Sequence, residues 1–190
     1  MKKIIIMIMN MAFTLSAYAQ ISGGEIKRLA PKRIPNRNAL VQKNHSTEEL
    51  YEMGKNYTDK GNSEEAEKWY RKAAEKGHRE AQYTLGCMYK HSNGTEAVNW
   101  LLNLSKSNDT LYSAKANYQL GKIYFHGLGG ISQNYYNAFM YFKMASDMGC
   151  KEAMYYLGNC YEYGRGTAKN IPFAKDYYKK SGYNHLPSWD

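Results

Sequence analysis

The chain has 190 residues, of which 43% are hydrophobic and 23% charged, and its formal net charge is +9. The positive excess is concentrated in residues 20–44, which carry six basic side chains against Glu25 alone, whereas residues 45–190 hold 18 basic and 16 acidic side chains. A nucleic-acid-binding domain usually carries a basic surface, whereas here the excess charge lies in a segment that precedes a nearly neutral region. We therefore expect no nucleic-acid partner. The segment suits a flexible arm that reaches toward an acidic surface.

The first nineteen residues have the pattern of a secretory signal peptide. Lys2 and Lys3 precede an apolar run over residues 4–15, and Ala17-Tyr18-Ala19 forms a small-x-small cleavage site. The run is shorter than the roughly 20 apolar residues that a membrane-spanning helix needs. We therefore expect cleavage after Ala19, no membrane span after cleavage, and a bacterial protein that is periplasmic or secreted.

Residues 20–45 combine a Gly-Gly pair, two prolines and scattered charge, which predicts a flexible linker. Order is predicted to begin at Ser46, which forms a capping box with Glu49. Polar caps and glycine stops then predict eight helices and no strands. The first runs from this box to about residue 60 and the second from 62 to 77; the others cover about 79–90, 95–106, 113–126, 135–148, 151–163 and 172–181.

A Leu-Gly-x-x-Tyr pattern, with Met53 replacing leucine in its first copy, recurs four times along these helices. Its glycines, spaced 32, 35 and 37 residues apart, are Gly54, Gly86, Gly121 and Gly158. Each is followed by an alanine with an aromatic pair three and four places on, except that Leu101 replaces one aromatic residue. Such a period predicts a solenoid of helical hairpins. Glycine inside a helix costs about 1 kcal/mol relative to alanine, so we expect a partner helix to approach closely at each one.

The segment from Ala66 to Tyr89 closely resembles a Sel1-like repeat, a relative of the tetratricopeptide repeats. Two later segments, 127–129 and 164–166, look like the Gly-x-Gly turn of that family, which the second repeat lacks. The resemblance covers repeats at about 46–77, 78–108, 113–149 and 150–182, followed by a C-terminal tail at 183–190. It implies an all-α, right-handed superhelix that acts as an adaptor or scaffold for other proteins.

Four tyrosines, each three residues before a repeat glycine, form the candidate binding surface: Tyr51, Tyr83, Tyr118 and Tyr155. In proteins of the resembling family this side of the first helix lines the concave groove, and tyrosine is favoured at binding hot spots. The other candidate groove residues follow four or seven places later: Lys55, Cys87, Lys90, Lys122, Phe125, Asn159 and Glu162. The alternative is that the rings only pack neighbouring hairpins together.

The three cysteines are expected to be mostly buried thiols. Cys150 and Cys160 are ten residues apart on one predicted helix, about 15 Å along its axis, which is too far for a disulfide. A weak zinc candidate combines Cys87 with His91 and His126, which occupy matching positions in adjacent repeats. Solvated histidines placed there by chance are the alternative.

The sequence contains neither a Gly-x-Ser-x-Gly elbow nor a His-Glu-x-x-His motif. We therefore expect no enzyme activity and no cofactor. The expected function is an exported, non-catalytic module of the cell envelope that binds a protein or peptide in its groove. Two alternatives are an immunity-type protein that neutralises a toxin and an envelope enzyme resembling β-lactam hydrolases, although the regular cysteine pairs of such enzymes are missing.

Overall fold

The computed structural model describes residues 45–183, and all regular structure in this part of the chain is helical. Eight α-helices follow in order: α1 (Thr47–Asp59), α2 (Ser63–Glu75), α3 (Arg79–Tyr89), α4 (Gly94–Ser105), α5 (Thr110–His126), α6 (Tyr135–Asp147), α7 (Lys151–Tyr163) and α8 (Ile171–Ser181), with a 3-10 helix, Leu128–Gly130, between α5 and α6. The expected signal peptide, the linker up to residue 44 and residues 184–190 of the expected tail lie outside the described residues.

Polar side chains fix where most of these helices begin. The predicted capping box is present: Ser46 Oγ accepts from the Glu49 amide at 3.1 Å, and Glu49 Oε2 accepts from the Ser46 amide at 3.0 Å. The predicted start of α5 at Ser113 is wrong by three residues. Asp109 Oδ1 accepts from the Tyr112 amide at 3.2 Å and so caps the helix one turn earlier.

The helices pair as four hairpins, α1–α2, α3–α4, α5–α6 and α7–α8, and each hairpin packs on the next. The helix α3 also contacts α5, so the first helices of the second and third hairpins are neighbours. Buried side chains join the hairpins in a continuous series, which confirms the helical repeat solenoid.

The four repeat glycines lie where the two helices of each hairpin come closest. A Cβ atom added at Gly121 would stand 2.5 Å from the ring of Phe142, which is fully buried. The corresponding distances at the other glycines are 2.5 Å to Tyr70 from Gly54, 2.6 Å to Leu101 from Gly86 and 2.8 Å to Tyr178 from Gly158. The prediction that a partner helix approaches closely at these glycines is confirmed. In each hairpin the facing side chain is the residue four places after the repeat alanine.

The Gly-x-Gly turns pack against the preceding hairpin. Gly129 lies in backbone contact with Gly94, the first residue of α4, and a Cβ atom at Gly129 would stand 2.8 Å from the Lys90 carbonyl oxygen. Gly166 lies equally close to the backbone at the start of α6, next to Tyr135. The second repeat lacks a Gly-x-Gly turn of its own, and its Gly94 instead makes room for the turn of the third repeat.

The joint between the first two hairpins contains a polar network. Arg71 Nη1 of α2 lies 2.7 Å from Glu96 Oε1 of α4. The Arg71 side chain also contacts Glu67 and the hydroxyl of Tyr89. This joint is therefore held partly by charge.

The joint between the third and fourth hairpins is aromatic. The ring of Tyr156 on α7 stacks on Phe142 of α6 with centroids 4.6 Å apart, and Phe139 meets Tyr161 edge to face at 5.5 Å. Phe125 of α5 adds a contact with Tyr156 at 5.4 Å.

All three cysteines are free thiols, which agrees with the prediction that Cys150 and Cys160 do not form a disulfide. The expected burial is complete only for Cys160, because Cys87 and Cys150 are half-buried.

Within residues 45–183 no helix is both long enough and apolar enough to span a bilayer.

Candidate binding face

The ladder face is the surface formed by Tyr51, Tyr83, Tyr118 and Tyr155 together with the side chains four residues after each of them. All four tyrosines are half-buried. At the N-terminal end, the Tyr51 ring lies 5.6 Å from Tyr70 of its own hairpin and stacks on His78 of the next at 4.5 Å. Each of these tyrosines is therefore available to solvent along part of its ring only.

The two middle tyrosines also contact the following hairpin. Gln119 Nε2 donates to the Tyr83 hydroxyl at 3.0 Å. The Tyr118 ring meets Tyr156 edge to face at 5.9 Å. Gln119 and Tyr156 occupy the same repeat position, two residues before the glycine, which is not among the predicted groove positions.

The last tyrosine repeats this arrangement at the C-terminal end of the described chain. Tyr155 lies 5.3 Å from Tyr178 of its own hairpin and 5.4 Å from Tyr183, which follows α8. The tyrosines thus have two roles: they pack neighbouring hairpins together, as the alternative interpretation held, and they keep a partly exposed edge.

Burial shifts the pKa of three ladder tyrosines: Tyr51, Tyr83 and Tyr118. It is the main cause that raises the pKa of Tyr83 to about 12, and it also raises the pKa of Tyr51 and of Tyr118. The hydroxyls are therefore neutral at physiological pH and can both donate and accept hydrogen bonds.

Two of the side chains four residues after the ladder tyrosines have hydrogen-bond partners, and a third is a half-buried thiol. Lys55 Nζ lies 2.8 Å from Glu52 Oε1, and Arg165 Nη1 donates to Asn159 Oδ1 at 2.8 Å. Cys87 is half-buried and burial raises the pKa of its thiol, so it is mostly protonated at neutral pH.

The structure corrects two of the candidate groove residues. Phe125 and Glu162 are only 7% and 8% exposed, because in the third and fourth hairpins the side chain seven residues after the ladder tyrosine faces into the hairpin. Phe125 packs against Phe142 at 5.9 Å, and Glu162 Oε2 accepts a hydrogen bond from Tyr178 at 2.7 Å. These two side chains therefore stabilise the hairpins and present little surface to a partner. Lys90, at the same repeat position, caps the end of α3 and stays half-exposed.

A group of basic side chains lies beside the middle of the ladder face, and only Lys90 and Lys122 among them are predicted groove residues. The Lys122 ammonium lies 5.3 Å from the centre of the Tyr118 ring. Burial and then the charge of Lys90 lower the pKa of Lys122. Burial and then the charges of Lys122 and Arg165 lower the pKa of His126. We call Lys90, Lys122, His126 and Arg165 the basic cluster.

The zinc candidate does not form a site in the described part of the chain. Among residues 45–183 no group of three or more His, Cys, Asp or Glu side chains is placed to hold a metal ion. Both His91 and His126 are exposed, so the alternative of solvated histidines describes them better.

Comparison with known proteins identifies the repeats. A family model described as "Sel1 repeat" matches residues 42–78, 79–102, 114–150 and 151–184. A crystal structure of a Sel1 repeat protein from Oxalobacter formigenes superposes with a TM-score of 0.61 at 29% identity and covers 85% of this chain and 66% of that one. A protective antigen of uropathogenic Escherichia coli with an SLR fold gives a TM-score of 0.62 at 24% identity over 72% of this chain and 30% of that one.

Two curated relatives are each named "exopolysaccharide production negative regulator". The protein from Rhizobium leguminosarum bv. viciae is 29% identical in an alignment 163 residues long that covers 75% of this chain and 60% of the relative. The protein from Rhizobium meliloti (strain 1021) is 28% identical in an alignment 171 residues long that covers 81% of this chain and 63% of the relative. The chain thus spans about three fifths of the length of these relatives.

Proposed function

Because this chain belongs to the Sel1 repeat family, whose fold is typically a scaffold for protein interactions, we propose that it is a non-catalytic adaptor that binds a protein or peptide segment along the ladder face. The observation that carries this proposal is the presence of one half-exposed tyrosine at the same position in each of the four hairpins. A repeated surface of this kind matches the repeated backbone of an extended segment.

The contacts of the tyrosines support the proposal in energetic terms. Rings that are already held by Tyr70, His78, Tyr156 or Tyr183 lose little conformational freedom when a partner binds. Ordering a flexible side chain at an interface costs about 0.5–1.5 kcal/mol, and this cost is largely avoided here. The edge of each ring combines apolar area with a neutral hydroxyl, which suits a peptide backbone.

We also propose that the protein acts in the cell envelope or outside the cell. The leader-like pattern of residues 1–19 supports this location. Mass spectrometry of the protein from fractionated cells tests it: the expected mature N-terminus is Gln20 in a periplasmic or extracellular fraction. An intact Met1 terminus in the cytoplasmic fraction would contradict this location.

Affinity capture tests the binding function. The full chain with a C-terminal tag is expressed in its source and compared with the double variant Tyr83→Ala plus Tyr118→Ala. The matched control is Tyr136→Ala plus Phe173→Ala, which removes two aromatic rings from the second helices α6 and α8, where they are 63% and 51% exposed.

We expect the ladder variant to lose a partner that the wild type and the control both retain, while circular dichroism shows equal helix content in all three. A partner captured equally by all three proteins would contradict binding on the ladder face.

The names of the two Rhizobium relatives favour a second, compatible candidate: negative regulation of exopolysaccharide production through a bound protein. Deleting the gene should then raise the polysaccharide yield, and the wild-type chain should restore the original yield. The ladder variant should fail to restore it. An unchanged yield after deletion would remove this candidate and leave the binding proposal in place.

A further inference from the structure

The basic cluster joins three successive hairpins at the middle of the ladder face. Lys90 follows α3, Lys122 and His126 belong to α5, and Arg165 follows α7. Lys122 and His126 are one turn apart on α5, and the Phe125 ring beside them lies 5.0 Å from the His126 ring and 5.3 Å from Arg165 Cζ. Like charges brought together at the surface cost stability unless something of opposite charge binds there.

Acidic side chains of the described chain do not neutralise this cluster. No ion pair within 4 Å connects Lys90, Lys122, His126 or Arg165 to an acidic side chain of residues 45–183. The acidic residue Glu162 is buried and bonded to Tyr178. Other exposed lysines, such as Lys143 and Lys180, do have carboxylate partners, at 3.1 and 2.6 Å.

The guanidinium of Arg165 is held in place by its surroundings. Its Cζ lies 4.9 Å from the centre of the Tyr163 ring and 5.3 Å from that of Phe125, and one of its N–H groups donates to Asn159. Arginine has five N–H donors, so several remain for a carboxylate. A cation fixed in this way loses little side-chain entropy on forming an ion pair.

We propose that the basic cluster binds the carboxylates of an acidic segment in the protein partner, next to the tyrosines of the ladder face. This inference rests on the proposed binding function and specifies the chemistry of the partner. The tyrosine edges contact the backbone and apolar groups of the segment, and Lys90, Lys122 and Arg165 pair with its glutamate or aspartate side chains. A peptide is favoured over a nucleic acid because residues 45–190 are nearly neutral outside this cluster.

Fluorescence anisotropy with defined probes tests the inference on the full chain. The probe is a fluorescein-labelled peptide of alternating glutamate and alanine, and the reference probe has glutamine in place of glutamate. The cluster variant is Lys122→Gln plus Arg165→Gln. The control variant, Lys143→Gln plus Lys180→Gln, changes the net charge by the same amount elsewhere.

We expect the wild type to bind the acidic probe more tightly than the glutamine probe. The affinity of the cluster variant for the acidic probe should be about tenfold lower than that of the wild type, and the affinity of the control variant should be within about twofold of it. Since Arg165 also packs on aromatic rings, a second variant, Lys90→Gln plus Lys122→Gln, should reproduce the loss without disturbing that packing. Equal binding to the cluster and control variants, or tighter binding of an oligothymidylate than of the acidic peptide, would overturn the inference.

Partner capture with the ladder variant separates this inference from the proposed function. If the cluster variants bind the probe normally while the Tyr83 and Tyr118 substitutions still abolish capture, the acidic segment is wrong and the ladder face remains the binding surface. If the ladder variant captures the partner normally, the proposed function is wrong, whatever the probe does.

Discussion

Substitution of Gly121 by alanine tests the packing that holds each hairpin together. The new Cβ atom would stand 2.5 Å from Cδ1 and Cε1 of Phe142 and 3.1 Å from its Cγ. The Phe142 ring cannot simply move aside, because it is fully buried and stacks on Tyr156 at 4.6 Å on another side. The two helices must therefore separate, or the ring must leave its preferred position.

The expected cost follows from two opposing terms. Overpacking a buried site destabilises a protein by about 1–3 kcal/mol. Replacing a helical glycine by alanine recovers about 1 kcal/mol of helix propensity. The net loss should be between about 0 and 2 kcal/mol, and its midpoint of about 1 kcal/mol lowers the melting temperature of a chain of this size by about 3 °C.

Circular dichroism during thermal and urea unfolding measures this loss, and a double-mutant cycle with Phe142→Leu identifies its origin. Phe142→Leu should cost less in the Gly121→Ala background than in the wild type, because the smaller side chain relieves the overlap. A Gly121→Ala protein at least as stable as the wild type, or strictly additive effects of the two substitutions, would refute the close-packing explanation for the repeat glycine.

Three further predictions concern the side chains of Tyr178, Cys160 and His126. Tyr178→Phe removes the hydrogen bond to the buried Glu162 and should lower the free energy of unfolding by about 2 kcal/mol, measured by urea denaturation; a loss below about 0.5 kcal/mol would contradict the role given to this bond. Because burial raises the pKa of the Cys160 thiol to about 12, iodoacetamide at neutral pH should modify Cys160 far more slowly than the other two cysteines in the folded protein. In denaturant all three should react at the same rate, and rapid labelling of Cys160 in the native state would show that its thiol is accessible. Burial and two nearby cations lower the pKa of His126, so the unfolded chain binds more protons and the free energy of unfolding falls as the pH drops below about 6.5. The His126→Gln variant should flatten the resulting decline in melting temperature, whereas substitution of His91 should not. Equal flattening by both would refute the conclusion that His126 causes the decline.

Much of the fold could be predicted because the repeated positions carry strong steric signals. The glycine of each hairpin and the large side chain opposite it recur at matching places, so the helix pairing followed from the sequence. The predicted start of α5 is three residues too late because Asp109 and Ser113 are both residue types that can cap a helix, and only the backbone turn at Asp109 decides between them. The contact between Gly94 and Gly129, in the turn of the third repeat, joins residues more than thirty positions apart, and no local sequence pattern predicts it.

The candidate site was predictable only in part. The four tyrosines could be found by their spacing. Phe125 and Glu162 were included because seven residues fall only about 20° short of two helical turns, which places them almost on the face of the tyrosines. That face is itself half-buried, so this small rotation is enough to bury their side chains. Arg165 was missed because it lies in a turn, and only the packing of the fourth hairpin on the third brings it near His126.

The joint between the first two hairpins is partly polar and the joint between the last two is aromatic, so salt should affect the stability of these two joints differently. Concentrated salt shortens the screening length to about 3 Å, which weakens the exposed parts of the Arg71 network but leaves the ring contacts of Tyr156 intact. The first hairpin should then detach at a lower temperature than the other three. A partner bound along all four tyrosines would then lose its contacts with Tyr51 before it loses those with the other three hairpins.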